Sequence, residues 1–272
     1  MAKFFRKIRQ HLLEERRVAN YVLYAIGEII LVVIGILIAI QLNEVNQDRE
    51  RAQLEEVLLE QVKFEIISIY SDIWRDANNL ALGEQSHQLI AEYIEQQWPY
   101  ADSLCFAFYW LKRDEYIYPT TAAYSKLQRE GLDIIQDDSI RFYLQSLYEG
   151  QFTRLTKNGS LNPDVAETFD AYYLEAFRPN IDLDLTFDYL LPSDTVGNVV
   201  FEDVDYHYPK KNQRTIGYVP LDFNALRKDP KFLMLLEQTK QHRDSKLFRY
   251  EITQFIIKKL IGMIDTALEE EE

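Results

Sequence analysis

The stretch between Tyr21 and Leu42 constrains this chain more than any other feature, because it is apolar on every face of a helix. It reads YVLYAIGEIILVVIGILIAIQL, and Glu28 is its only acidic or basic residue. A helix over this stretch spans roughly 33 Å at about 1.5 Å per residue, enough for the ~30 Å hydrocarbon layer of a bilayer. Buried helices of soluble domains rarely stay apolar on all faces for so long. The sequence therefore predicts a transmembrane helix over 21–42.

The charges on either side of this span predict its orientation. Residues 1–20 contain six basic and two acidic side chains, whereas residues 43–272 contain 24 basic and 41 acidic ones. Lys and Arg near a span favour the cytoplasmic side, so we expect a cytoplasmic N-terminus and a translocated domain over 43–272. Arg49 and Arg51 lie just past the far end and weaken the asymmetry.

A cleaved signal peptide is the competing interpretation of the same stretch. Its apolar region would be shorter, and small residues would stand three and one positions before the cut. After Ile40 the chain continues Gln-Leu-Asn-Glu, without that pattern. We therefore expect an uncleaved anchor.

The first twenty residues also carry a pattern. Phe4, Phe5, Ile8, Leu12 and Leu13 recur at helical spacing, and the basic residues between them include Lys3, Arg6, Lys7 and Arg9. This pattern predicts a basic amphipathic helix that lies on an anionic membrane surface. An unstructured basic flank is the alternative.

Within the span, Glu28, Gly35 and Ala39 share one helix face. An acidic side chain at the centre of a span costs about 2.5–3.5 kcal/mol on insertion scales, so Glu28 calls for an explanation. Gly35 and Ala39 form a small-xxx-small pair of the kind that lets helices approach closely. We predict a transmembrane contact face. A proton or ion pathway, or an interfacial Glu of no special role, are the alternatives.

Beyond the span the pattern is helical. A heptad-like apolar stripe continues the anchor helix, with Gly83 as a candidate break, and a second stripe marks the last helix. The first stripe is Leu58, Val62, Ile66, Ile69, Ile73, Ala77 and Leu80; the second is Leu247, Tyr250, Gln254, Ile257, Ile261, Ile264 and Leu268. The fold class predicted is all-α: an elongated helical bundle whose long first and last helices are antiparallel.

Shorter helices are expected between the two long ones, from their capping residues. Thr120 or Thr121 is predicted to start a helix that Gly131 ends, and Asp138 to start the next. Asn162-Pro163 and Asp229-Pro230 predict two further starts. Around 178–220 the periodicity is lost, and we expect a partly irregular insertion, with strands at most over 198–201 and 215–219.

Composition and motifs limit the chemistry. A net charge of −14 argues against nucleic-acid binding, and one cysteine excludes an intramolecular disulfide framework. Glu84-Gln-Ser-His87 is one E-x-x-H where a di-iron bundle needs two, so no metal or other cofactor is expected. Cys105 is interpreted as a buried small apolar residue, with linkage of two chains as the alternative. Nucleotide, hydrolase and metalloprotease motifs are absent, and we predict a protein that is not an enzyme.

The N-terminal sequence resembles a known family. MAKFFRKIRQHLLEE followed by YAIGEIILVVIGILIAIQLNEVNQDR is similar to the start of an uncharacterised single-pass membrane family of Bacteroidota. Looser similarity covers 124–148 and 259–265, while Val45 and Glu130 depart from the family pattern. The resemblance implies a bacterial inner-membrane anchor with a periplasmic helical domain, and it implies no known activity.

Two functions from different classes follow. The first is a membrane-anchored interaction or scaffold protein of the cell envelope, which binds the bilayer and either itself, as a homo-oligomer, or another envelope membrane protein. The second is an extracytoplasmic sensor or ligand-binding module that acts through a partner, because a bundle joined to a membrane helix can transmit a shift.

Overall fold

The computed structural model describes residues 18–159, 163–181, 185–208 and 216–270. The chain divides into two compact units, Met1–Glu55 and Glu56–Glu272. Both contain part of the first helix, α1, which runs over Val18–Glu95. The described residues are mostly helical, as predicted. The all-α prediction is nevertheless only partly confirmed, because the second unit also contains short antiparallel sheets.

The other described elements belong to the second unit. The helices are α2 (Leu104–Lys112), α3 (Ala122–Glu130), α4 (Asp138–Gln145), α5 (Phe152–Leu155), α6 (Val165–Ala176), α7 (Phe223–Leu226) and α8 (Pro230–Glu270). A 3-10 turn covers Leu132–Ile134 and a π-helical turn covers Ser146–Gln151. The strands are β1 (Phe177–Pro179), β2 (Phe187–Leu191), β3 (Asp194–Val196), β4 (Val199–Phe201), β5 (Val204–Tyr208) and β6 (Tyr218–Pro220).

In the first unit, α1 contains the candidate membrane span. Among the described residues it is the one helix long and apolar enough to cross a bilayer, and none of its most apolar stretch is buried. The side chains from Val22 to Leu42 are exposed almost without exception. A helix so apolar cannot leave this surface in water without a large cost in free energy.

In the second unit, α1 packs along α8. The predicted stripe on α1 is confirmed, since Leu58, Val62, Ile66, Ile69, Ile73, Ala77 and Leu80 are all buried. On α8, the buried side chains include Tyr250, Ile257, Ile261 and Ile264. Lys63 pairs with Asp265, and the Tyr250 hydroxyl donates to Asp76 at 3.4 Å. Lys63 comes before Asp76 on α1, whereas its partner Asp265 comes after Tyr250 on α8. The two helices are therefore antiparallel, as predicted.

The helix starts agree with the sequence in part. Asp229 accepts the Lys231 amide at 2.9 Å before Pro230, as predicted. Asp137, and not Asp138, caps α4, because its carboxylate accepts the Ser139 and Ile140 amides. For α6 the cap is Asp164, which accepts the Glu167 amide at 3.0 Å, while Asn162 lies outside the described residues.

The largest correction concerns residues 178–220. Three antiparallel pairs cover much of the segment: β1 with β6, β2 with β5 and β3 with β4. The strand predicted over 198–201 is present as β4, and the one predicted near 215–219 overlaps β6. The longest pair, β2 with β5, was missed although its rings alternate with Asp188, Asp205 and His207, because each strand is only five residues long and Asp is depleted in strands.

Gly83 does not break α1, contrary to the sequence expectation. It faces the buried Arg243 of α8, and a β-carbon added at Gly83 would lie 2.6 Å from Arg243 Nε and 3.1 Å from the Trp110 carbonyl oxygen. Arg243 cannot easily move away, because its Nη2 donates to the Leu111 carbonyl at 2.5 Å. Gly83 therefore permits close contact between helices.

We expect Gly83→Ala to lower the free energy of unfolding by about 1–3 kcal/mol, because the added methyl overpacks the contact with Arg243. The measurement is urea unfolding of the full-length chain in detergent, followed by circular dichroism. Gly262→Ala on α8 is the matched control, since nothing lies within 4 Å of its added β-carbon. That control should stabilise the helix by up to about 1 kcal/mol. Equal effects from the two substitutions would contradict the prediction.

Candidate interaction sites

The predicted transmembrane contact face is open. Glu28, Gly35 and Ala39 are exposed, and a β-carbon added at Gly35 meets no atom within 4 Å. The face can therefore accept a neighbouring helix, and its role as a contact remains a prediction. The predicted membrane-surface residues Lys3, Arg6, Lys7 and Arg9 lie outside the described residues.

A groove of about 670 Å³ lies on the second unit, between α1 and α3. We call it the α1–α3 groove. Most of its surface area is apolar. The lining residues are Glu60, Gln61, Phe64, Glu65 and Ser68 from α1, Ala122, Ala123, Lys126 and Arg129 from α3, and Thr120 just before α3.

Glu65 fixes α3 against α1 beneath this groove. Its carboxylate accepts the Ala123 amide at 2.8 Å, the Tyr124 amide at 3.3 Å and the Tyr148 hydroxyl at 2.7 Å. The predicted Thr121 cap is therefore replaced by a carboxylate from another helix. Negative charge at a helix N-terminus is favourable, which compensates for burying Glu65. Burial and the Glu65 carboxylate raise the pKa of the Tyr148 phenol, so it stays a donor.

The rim of the groove carries charges of both signs. Lys126 Nζ donates to Gln61 Oε1 at 3.1 Å, a bond to a neutral amide. Within the described residues, Glu60 and Arg129 have no recorded hydrogen bond or ion pair. Phe64 stands beside them with 77% of its surface exposed. The groove thus combines a mostly apolar surface with the charged side chains of Glu60, Lys126 and Arg129, none of which has an ion-pair partner among the described residues.

A second cleft lies under the β2–β5 hairpin. The strand register places Phe187 opposite Tyr208 and Tyr189 opposite Tyr206, so four rings share one face of the hairpin. The Tyr189 and Tyr206 rings stack with centroids 4.9 Å apart, and Trp110 meets Tyr189 edge-on at 5.8 Å. Of these rings, Phe187 and Trp110 line the cleft, together with Phe106. The cleft has a volume of about 310 Å³, and its polar lining is Gln85, Ser86, Ser103 and Thr186. We call it the hairpin cleft.

Polar contacts hold the hairpin to α1. Glu115 Oε1 accepts from Arg113 Nε at 2.5 Å and from Asn79 Nδ2 at 3.0 Å. Asn79 Oδ1 in turn accepts the Tyr189 hydroxyl at 3.1 Å. Because Asn79 is on α1 and Tyr189 on β2, this chain of bonds holds β2 against α1, and β2 contributes Phe187 to the cleft lining.

A buried ion pair joins α8 to the segment after α2. Lys246 Nζ lies 2.6 Å from Asp114 Oδ1, and the two side chains are 5% and 3% exposed. Asp114 also accepts the Val165 amide and the Tyr116 hydroxyl, so its lone pairs are used. Burial lowers the pKa of Lys246, and the Asp114 charge opposes that shift. Because the hydrogen bonds of Asp114 are satisfied, we interpret the pair as a structural link between α8 and the segment after α2, without a free group for catalysis.

Neither Glu84 with His87 nor Cys105 forms a reactive site. His87 is buried, and burial together with Arg243 lowers its pKa. In the described residues no group of three or more His, Cys, Asp or Glu side chains could hold a metal ion. Cys105 is fully buried, and burial raises its pKa to about 11, which disfavours the reactive thiolate.

Among the carboxyl groups of the described residues, Asp76 has the most strongly shifted pKa. Burial between α1 and α8 raises its pKa to about 7, and the nearby charges of Glu115 and Asp72 act in the same direction. The charge of Arg75 and the hydrogen bond from Tyr250 oppose the shift. The folded chain therefore keeps a proton on Asp76 in mildly acidic solution, where an unfolded chain has lost it.

We expect the contribution of Asp76 to the free energy of unfolding to fall as the pH rises from about 4 to about 7. Here the folded state binds more protons than the unfolded state, and a shift of this size corresponds to at most about 4 kcal/mol. Asp76→Asn should flatten this dependence and raise stability at pH 8, as measured by thermal unfolding at a series of pH values. Asp102→Asn, at an exposed position, is the control. An unchanged slope in Asp76→Asn would refute the assignment.

Comparison with known proteins gives no relative. No family model, no curated protein and no solved structure matches this chain. The function therefore has to be argued from the chain's own surfaces.

Proposed function

We propose that this chain is a membrane-anchored interaction protein of a bacterial cell envelope, related to the single-pass family described above. The observation that carries the proposal is the uncovered apolar helix of the first unit. Such a helix needs a lipid environment, and its face of Glu28, Gly35 and Ala39 suits a helix–helix contact. The proposal includes no catalytic step and no cofactor.

The partner in this proposal is a second copy of the chain or another envelope membrane protein. A carboxyl group in hydrocarbon is stabilised when it forms a hydrogen bond to a neighbouring helix, and Gly35 leaves space for that helix to approach. We assign the anchor to the inner membrane, with a cytoplasmic N-terminus and a periplasmic second unit.

We expect the full-length chain, extracted into lipid nanodiscs, to form an assembly whose protein mass is an integer multiple, two or more, of 32.2 kDa. Gly35→Leu should reduce that mass, because the larger side chain prevents close helix approach. Gly27→Leu is the matched control, since it adds the same side chain about 80° around the helix from Gly35, where no atom lies within 4 Å either. A particle of one chain alone would contradict the proposal, whereas a non-integer mass would indicate a different partner protein.

The orientation has its own test. Protease added to intact spheroplasts should digest the second unit and leave a tag at residue 1 protected, because the positive-inside rule puts the N-terminus in the cytoplasm. Opening the cells should make that tag accessible. Protection of the second unit in intact spheroplasts would reverse the proposed orientation.

The hairpin cleft favours a second candidate function, a ligand-binding module that signals through a partner. Its aromatic lining and its uncharged polar side chains suit a small neutral molecule. We expect a ligand from a screen of neutral compounds to raise the melting temperature of the full-length chain. Thr186→Trp, at an exposed position in the lining, should abolish that shift without lowering the basal melting temperature. A shift that survives this substitution would place the ligand elsewhere.

A further inference from the structure

Phe64 is the most exposed large apolar side chain that α1 presents within the second unit. A single exposed ring needs no explanation in itself. This ring, however, forms an edge of the α1–α3 groove, whose opposite side is lined by Ala122 and Ala123. A projecting apolar group and a hollow beside it thus occupy one surface.

We propose that the α1–α3 groove receives Phe64 of a second copy of this chain, so that two folded units pair around a two-fold axis. A two-fold contact uses the same surface on both partners, and it therefore requires a surface that contains both the projection and the hollow. This inference rests on the proposed self-association and adds to it a contact surface in the second unit.

The charges on the rim support a second copy as the occupant. Glu60 lies on the α1 side, while Lys126 and Arg129 lie on the α3 side. When the two-fold axis runs along the groove, the α1 side of one copy faces the α3 side of the other, which brings Glu60 toward the two cations. Such opposed charges fix the register of a contact and exclude wrong partners.

The overall charge of the chain strengthens this argument. At a net charge of −14, two copies repel each other, and a contact between them needs local cations. Lys126 and Arg129 have no acidic partner among the described residues, so both are available. A partner that carries one sign of charge throughout would leave either Glu60 or the cations unmatched.

Disulfide cross-linking in lipid vesicles tests the contact. Two full-length populations are reconstituted together, one carrying Glu60→Cys and one carrying Arg129→Cys with a different tag. Cys105 can stay, because it is fully buried with a pKa of about 11. We expect mild oxidation to link the two tags. Replacing Arg129→Cys by Glu251→Cys, at an exposed position on α8, gives the background.

Phe64→Ser, added to both populations, should lower the cross-linked yield about tenfold, as expected for the loss of a central aromatic anchor. Charge reversal gives a second measurement, by energy transfer between labelled chains in the same vesicles. Glu60→Arg and Arg129→Glu should each weaken the transfer, and the double variant should restore it. Simple damage to the fold would not be rescued in this way.

The outcomes separate this inference from the proposed function. Background cross-linking, or failure of the double variant to restore energy transfer, overturns the groove contact. If Gly35→Leu still reduces the particle mass in that case, self-association through the membrane helix stands. Oxidation of the Arg129→Cys variant in its native membrane gives a third outcome: a cross-link there to a chain of different mass also overturns the inference, because it assigns the groove to another protein.

Discussion

The packing of α1 against α8 is the constraint on which the second unit depends. Two stripes at heptad-like spacing supply the contact, and the fully buried residues along it include Val62, Ile66, Ile257 and Ile261. Burying one such side chain contributes about 1.5–3 kcal/mol, so a few turns of paired helix stabilise the second unit substantially. α4, α5 and α6 then pack on α8, which provides the surface that positions them.

The part of this arrangement that the sequence could predict is the part encoded by local periodicity. Leu58 to Leu80 repeat at steps of three and four residues, and such a stripe has one structural solution, a helix with one buried face. Asp229-Pro230 is equally local, because the cap and the proline act on the adjacent turn. The 22-residue apolar stretch needs only its own length and composition. Each of these signals is contained within a few turns of chain.

The remainder depends on contacts between residues far apart in sequence. Glu65 caps α3 across 58 residues of sequence. The local sequence gives one hint of this role, which is that Glu65 is a charged residue next to Ile66 of the buried stripe. Lys246 and Asp114 are separated by 132 residues. Gly83 resembles a helix break because a glycine gives the same local signal whether it ends a helix or admits a neighbouring Arg243. Trp110 packs against Phe187, Tyr189 and Tyr208 of β2 and β5, contacts across more than 70 residues that two five-residue strands do not indicate.

Under the proposed function, both proposed contact surfaces gain from confinement to one membrane. Two chains anchored in one bilayer meet at a high effective concentration, and a second contact between them then becomes nearly intramolecular. Under the proposed function, neither the Gly35 face nor the α1–α3 groove has to be strong alone. A groove with a few apolar residues and three rim charges would be too weak to pair free acidic domains in dilute solution. The same groove can determine the partner and the register of chains that the membrane already holds together, which is the task its mixed charges suit.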